Sequence, residues 1–202
     1  MQSRRCSLQR YAPISTRTSS LTSSQEYFRS VIPRLIELLT PRAKASPAYI
    51  RAASFTLSRM ITAEGNSRHH VLVSRVLLQL LHDPVLLITP ESLSTETIIA
   101  LSPLEAINIV QTFLTNTDPA PTLISTTLSP IATSLFALLG ALERLKTTDP
   151  TLRESVRGLL LAWGRVVPVE EAVAILWACL DGQGGDWAVD ISGGVRRVEK
   201  CV

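Results

Sequence analysis

Proline placement constrains this chain more than any other feature. Pro47, Pro103, Pro150 and Pro168 each stand where a run of apolar residues at three- and four-residue spacing begins. Proline has no amide hydrogen and its ring clashes with the preceding turn, so an α-helix accepts it in the first turn and resists it further in. Ser46 and Ser102 directly precede two of these prolines and suit the cap position, where a hydroxyl accepts from an orphan amide. Asp-Pro pairs at 83–84, 118–119 and 149–150 add further breaks. The chain must therefore fold as a series of short helices joined by turns.

The apolar spacing places those helices. A first, over about residues 24–39 with Ser23 or Ser24 as cap, sets Phe28, Ile32, Leu35 and Leu39 on one face, and Pro33 inside it predicts a kink or a later start. A second opens at Pro47, carries Ile50, Ala53, Leu57 and Ile61, and stops at Gly65-Asn66. The third, about 68–82, is apolar on most sides (Val71, Leu72, Val76, Leu77, Leu80, Leu81), which marks an element covered by several neighbours, and Asp83-Pro84 should end it. Residues 84–101 are less clear: 85–88 reads as a short strand or an irregular connection, and 94–100 has room for a helical turn. Ser102-Pro103 opens the next helix, with Leu104, Ile107, Val110 and Leu114. Beyond the Asp118-Pro119-Ala120-Pro121 turn a long apolar stretch runs to Leu145, broken at Pro130. Asp149-Pro150 starts a helix that faces Leu152, Val156, Leu159, Leu160 and Trp163 inward. Pro168 starts the last, with Glu170 and Glu171 at its positive end and Val173, Leu176, Trp177 and Leu180 expected to be buried.

About seven helices with short turns, repeating at irregular intervals, predict an all-α fold of the HEAT or armadillo kind, an α-solenoid segment, with a closed helical bundle as the alternative. The expected organisation is a disordered basic leader at 1–22, a helical-repeat region at 23–181, and a flexible tail at 182–202 with room for a short strand at 187–191. That tail is a weak end for an array, whose last repeat should carry a polar outer face, and points to a truncated chain.

Charge narrows the partners. Four of the 20 basic residues, Arg4, Arg5, Arg10 and Arg17, lie in an acid-free leader, leaving 16 basic against 17 acidic residues. A near-neutral body offers no electrostatic basis for nucleic acid. The Arg- and Ser-rich leader has the composition of a mitochondrial presequence, but Pro13 interrupts it and Leu8, Tyr11 and Ile14 form no stripe, so a disordered leader is the better reading. Three widely separated cysteines, Cys6, Cys179 and Cys201, fit free thiols in a reducing compartment.

No constellation of residues carries chemistry. His69 and His70, grouped with His82, are adjacent and point about 100° apart on a helix, which argues against a two-histidine clamp; solvated helix-start histidines are the better reading. The Gly182–Asp186 run follows a helix and precedes none, so it stops a helix and cradles no phosphate. Glu170 and Glu171 are explained by the helix dipole. Trp163 and Trp177 are assigned to core packing, and Arg153, Arg157 and Arg165 to a solvated face in preference to a partner-binding one. Hence no catalytic, cofactor-binding or metal residue is expected. The 24-residue charge-free run 119–142 is long enough to span a bilayer, but seven Ser or Thr residues, Pro130 and Gly140 favour a buried pair of helices.

The order of segments resembles a known family. EYFRSVIPRLIELL at 26–39 is followed by AYIRAASFTLSRMI at 48–61, and then by the Asn116-Thr117-Asp118-Pro119-Ala120-Pro121 turn, Leu128-Ser129-Pro130-Ile131, Asp149-Pro150 and Leu160 to Arg165. The series is similar, over about 24–180, to the central part of the transport and Golgi organisation protein six family, which includes a fungal RNA polymerase II assembly and nuclear import factor. That resemblance implies a large non-enzymatic HEAT-like scaffold, of which this chain would be a part. It implies protein partners, polymerase subunits or transport factors among them, and a cytoplasmic location with passage into the nucleus. The alternative it implies is a membrane-associated protein of secretory and Golgi transport. It carries over no binding residue and leaves the oligomeric state open.

Overall fold

The computed structural model describes residues 19–62, 68–87, 101–145, 150–190 and 194–198. Within them lie α1 (Ser19–Leu39), α2 (Pro47–Thr62), α3 (Arg68–Leu86), α4 (Pro103–Thr115), α5 (Pro121–Leu128), α6 (Ala132–Arg144), α7 (Pro150–Gly164) and α8 (Val169–Leu180). A hairpin of β1 (Asp186–Val189) and β2 (Val195–Val198) follows. Since α5 and α6 join without a gap through the 3-10 turn Ser129–Ile131, the eight segments make seven rods, in line with the helix-repeat expectation.

The helix-opening prolines stand where the sequence puts them. Pro47 and Pro103 occupy the first helical position of α2 and α4, and Pro150 that of α7. Ahead of α4, the Ser102 hydroxyl accepts from the Glu105 amide at 3.3 Å while the Glu105 carboxylate accepts from the Ser102 amide at 3.1 Å, a reciprocal capping box. The two interior prolines behave differently from expectation. Helix α1 starts at Ser19, ahead of the Ser23 or Ser24 cap, and runs through Pro33. Helix α3 does not end at Asp83-Pro84 but continues to Leu86. The amide missing at Pro84 costs one bond near the helix end, and the next turn still closes, with the Leu87 amide donating to the Asp83 carbonyl at 2.8 Å. Fully buried Val85 holds this last turn in the core, so the strand expected at 85–88 does not form over its described part. The Gly65-Asn66 stop, the turn at 94–100, Asp149 and the leader up to residue 18 lie outside the described residues.

Helices α1, α2 and α3 pack on one another, α4 lies against α1 and α3, and α6 sits between α7, α8 and β1. One apolar cluster runs through all of them, from Ile32 and Ile36 on α1 to Trp187 and Val195 on the hairpin. Trp163 is 3% exposed and does what its stripe predicts. Its ring meets Phe136 edge-on, with centroids 5.9 Å apart, and its indole N–H donates to the Ser129 hydroxyl at 3.0 Å.

The run from Gly182 stops α8 as expected, and the short strand allowed for at 187–191 lies at Asp186–Val189, paired in a hairpin. Gly182 takes φ 72 directly after α8, its amide donates to the Cys179 carbonyl at 3.0 Å, and the Gln183 amide donates to Ala178 at 2.9 Å. This is the Schellman pattern, which needs a residue free to adopt the left-handed conformation. Gly184 then passes so close to α6 that a Cβ would stand 2.7 Å from the Ala137 Cβ. β1 and β2 pair antiparallel, Trp187 opposite Arg197, and the Asp190 carboxylate closes the loop by accepting from the Gly194 amide at 2.7 Å. Arg197 reaches back to donate to the Leu86 carbonyl at the end of α3.

Two stability predictions follow from this packing. Trp163→Ala removes a buried ring and should cost ~3–5 kcal/mol in urea denaturation; a loss under ~1 kcal/mol would contradict its place in the core. Gly184→Ala should lower the melting temperature, because the new methyl group meets α6. In contrast, Gly158→Ala, in α7 with nothing within 4 Å of the new Cβ, should stabilise by ~0.5–1 kcal/mol. Equal effects at the two glycines would overturn the close approach of the turn to α6.

Candidate interaction surface

Two clefts gather polar side chains. The first, about 530 Å³, lies beside the capped start of α4 and is lined by Ser30, Arg34, Glu37, Arg42 and Glu105 among others. One of its two carboxylates is already engaged: Glu105 accepts from the Ser102 amide and hydroxyl and pairs with Arg42 at 2.5 Å. These contacts, the backbone bond foremost, hold its carboxyl below the usual range. The second, about 630 Å³, is an open groove along α3, lined by Ser74, Arg75, Gln79, His82 and Asp83 with Ile61 and Leu86.

His82 is where the structure departs most from expectation on the polar side. No burial is expected for it from sequence, and it is 6% exposed. Its Nε2 lies 2.8 Å from the Thr127 carbonyl, so that nitrogen carries the proton and donates. Pro130 lies three residues on and has no amide to close a 3-10 turn onto that carbonyl; the imidazole supplies a donor from the neighbouring helix. Burial pushes the His82 pKa down, outweighing the bond to Thr127 and the field of Asp83. Burial likewise raises the Asp83 carboxyl. A proline that leaves a carbonyl short of a donor is the one signal that could have foretold a polar partner in this core. The side chains of His69 and His70 lie outside the described residues, and no group of three potential metal ligands occurs among those described.

The arginines named from sequence do not share one free face. Arg157 pairs with Glu143 at 2.9 Å and ties α7 to α6. Arg153 approaches Glu154 at 3.9 Å, and Arg165 is exposed. Helix-run 119–142 forms α5, the 3-10 turn and α6, whose Leu123, Leu128, Ile131, Leu135, Leu138 and Leu142 are buried. By length and composition alone, Pro121–Arg144 could cross a membrane.

The least satisfied surface is α8. Val173, Leu176, Trp177 and Leu180, expected in the core, are 46%, 47%, 63% and 76% exposed, and Val169 is 73% exposed. The reason is the composition of the helix. It is apolar almost all round, so its sequence pattern does not say which side meets the body. The side with small residues does: Ala172 and Ile175 pack on the core, and α6 lies against this helix. At 100° per residue the five exposed large residues form one stripe about 100° wide, edged by Glu170 and Asp181. A contiguous apolar strip of this kind marks a place where another surface belongs. Trp177 thus moves from core packing to the outer face.

A family model described as Transport and Golgi organization protein 6 homolog, ARM-like repeat, matches residues 13–195. No curated protein and no solved structure matches the chain.

The His82 assignment makes a pH prediction. In the unfolded chain the imidazole takes up a proton near its ordinary value of 6.5, whereas the buried ring resists it. The unfolded state then binds more protons, so this contribution to stability is present above that value and is lost as pH falls below it, by no more than ~1.4 kcal/mol per pH unit. His82→Gln should flatten the fall measured by urea denaturation between about pH 6.5 and 5.5. An unchanged slope would show that the ring is not buried neutral. Asp83, raised by burial, gives a slope of opposite sign at lower pH, above its ordinary 3.8.

Proposed function

The chain belongs to the family described as Transport and Golgi organization protein 6 homolog, ARM-like repeat, and on that premise we propose that it is a non-catalytic scaffold that binds RNA polymerase II subunits for assembly and nuclear import. The observation that carries the scaffold reading is the exposed apolar stripe along α8. Arrays of stacked helices work by offering long surfaces to other proteins, and affinity comes from apolar anchors such as Trp177 set among polar neighbours. Two polar groups of the clefts have structural roles that support a reading without catalysis: Glu105 completes a helix cap and His82 bonds the Thr127 carbonyl. The polymerase assignment is supported by the resemblance of about 24–180 to a family that includes a polymerase II assembly and nuclear import factor. The proposal carries with it a cytoplasmic protein that passes into the nucleus.

A second reading is favoured by one observation, the length and apolarity of Pro121–Arg144, together with the Golgi role in the family's description. In that reading the protein is attached to endomembranes through this segment. Against it stand the 3-10 turn at Ser129–Ile131 and the buried contacts that α5 and α6 make with α7 and β1.

The two readings separate in one experiment on cells expressing the tagged chain. The scaffold reading expects polymerase II subunits to co-purify and the chain to leave membranes on carbonate extraction. A chain retained in the carbonate pellet, without polymerase subunits, would replace it with the endomembrane reading.

A further inference from the structure

Three features of the described residues could receive a ligand or partner: the cleft at Arg42 and Glu105, the groove beside His82, and the outer face of α8. In the first two the carboxylate and the imidazole complete the fold. The third has both shape and charge left over.

Val169, Val173, Leu176, Trp177 and Leu180 recur at four, three, one and three residues, the spacing of one face of a helix. The strip they form on the 12-residue α8 is about 18 Å long. Charge lies on one edge only. Residues 166–195 hold five acids, Glu170, Glu171, Asp181, Asp186 and Asp190, and no lysine or arginine. Glu170 is one helical turn before Ala174 and two before Trp177, and Asp181 is one turn after Trp177, so the two carboxylates follow the tryptophan edge of the strip. Both are exposed.

This asymmetry selects the occupant. A second copy would pair the strip with itself about a two-fold axis, setting one acidic edge near another with no base in 166–195 to separate them. An anionic bilayer would repel the same edge. A helix with its own apolar stripe and a row of lysine or arginine on one flank meets neither obstacle. It covers the strip and neutralises the edge.

Building on the scaffold reading, we propose that the outer face of α8 docks a basic amphipathic helix of a partner protein. The partner's apolar residues cover Leu176, Trp177 and Leu180, and its basic flank lies along Glu170 and Asp181. Trp177 is the central anchor, as large amphipathic rings are in helix-in-groove recognition.

The test uses the full chain and two labelled synthetic helices of about 18 residues, alike in a leucine stripe and differing in an arginine or a glutamate flank. Fluorescence anisotropy should show saturable binding of the arginine helix and at least tenfold weaker binding of the glutamate helix. Trp177→Ala should weaken the arginine helix tenfold or more. The double variant Glu170→Lys with Asp181→Lys should lose it and gain the glutamate helix, with circular dichroism unchanged because all three positions are exposed. Equal binding of both helices, or no response to charge reversal, would overturn the proposal. So would a concentration-dependent dimer abolished by Trp177→Ala, which assigns the face to a second copy, or binding to phosphatidylserine vesicles abolished by it. Polymerase subunits that still co-purify with the Trp177→Ala chain would sink this docking site and leave the scaffold function standing. Peptide binding without those subunits would do the reverse.

Discussion

Two polar side chains enter the apolar interior from different helices and end on the same short stretch of chain. His82 from α3 donates to the Thr127 carbonyl, and Trp163 from α7 donates to the Ser129 hydroxyl. Both targets lie within three residues before Pro130, where the long apolar run changes from α-helix to a 3-10 turn and back. A backbone carbonyl left unpaired inside a core costs about 1–3 kcal/mol. His82 removes that cost at Thr127, and Trp163 ties α7 to the next turn through the Ser129 side chain. In doing so they fix how the first three helices and the seventh stand relative to the middle of the chain, and the surrounding leucines need only fill space.

How much of this was legible in the sequence depends on whether the deciding physics is local. The Ser102-Pro103 start was readable because a cap, a proline and Glu105 act within one turn. The inward stripe of α7 was readable because polar residues such as Arg153, Glu154 and Arg157 leave it only one apolar face. Pro84 misled because its cost depends on position: near a helix end one lost bond is small, and buried Val85 outweighs it. His82 was hidden because its partner carbonyl lies 45 residues away. No count of histidines shows that a distant proline has left an acceptor free.

The last helix failed for a different reason. Its burial depends on whether a neighbour exists, and a helix apolar on nearly every side gives the same pattern with or without one. What the sequence did contain was the contrast between Ala172, Ala178 and Cys179 on one side and Leu176, Trp177 and Leu180 on the other. Small residues allow close approach of backbones, so the bulky side was the one left outside. The same logic applies to the glycines near residue 184, where the stop of one helix and the approach to another are served by adjacent residues.

The bond from Arg197 to the Leu86 carbonyl spans 111 positions. In an open row of repeats each unit feels only its neighbours, and either end can unravel while the rest persists. Here the two ends of a long stretch are buckled together, making a ring of contacts where a row would have been. Loosening the hairpin withdraws a cation from the negative end of α3, so damage near residue 197 is felt at the end of the third helix.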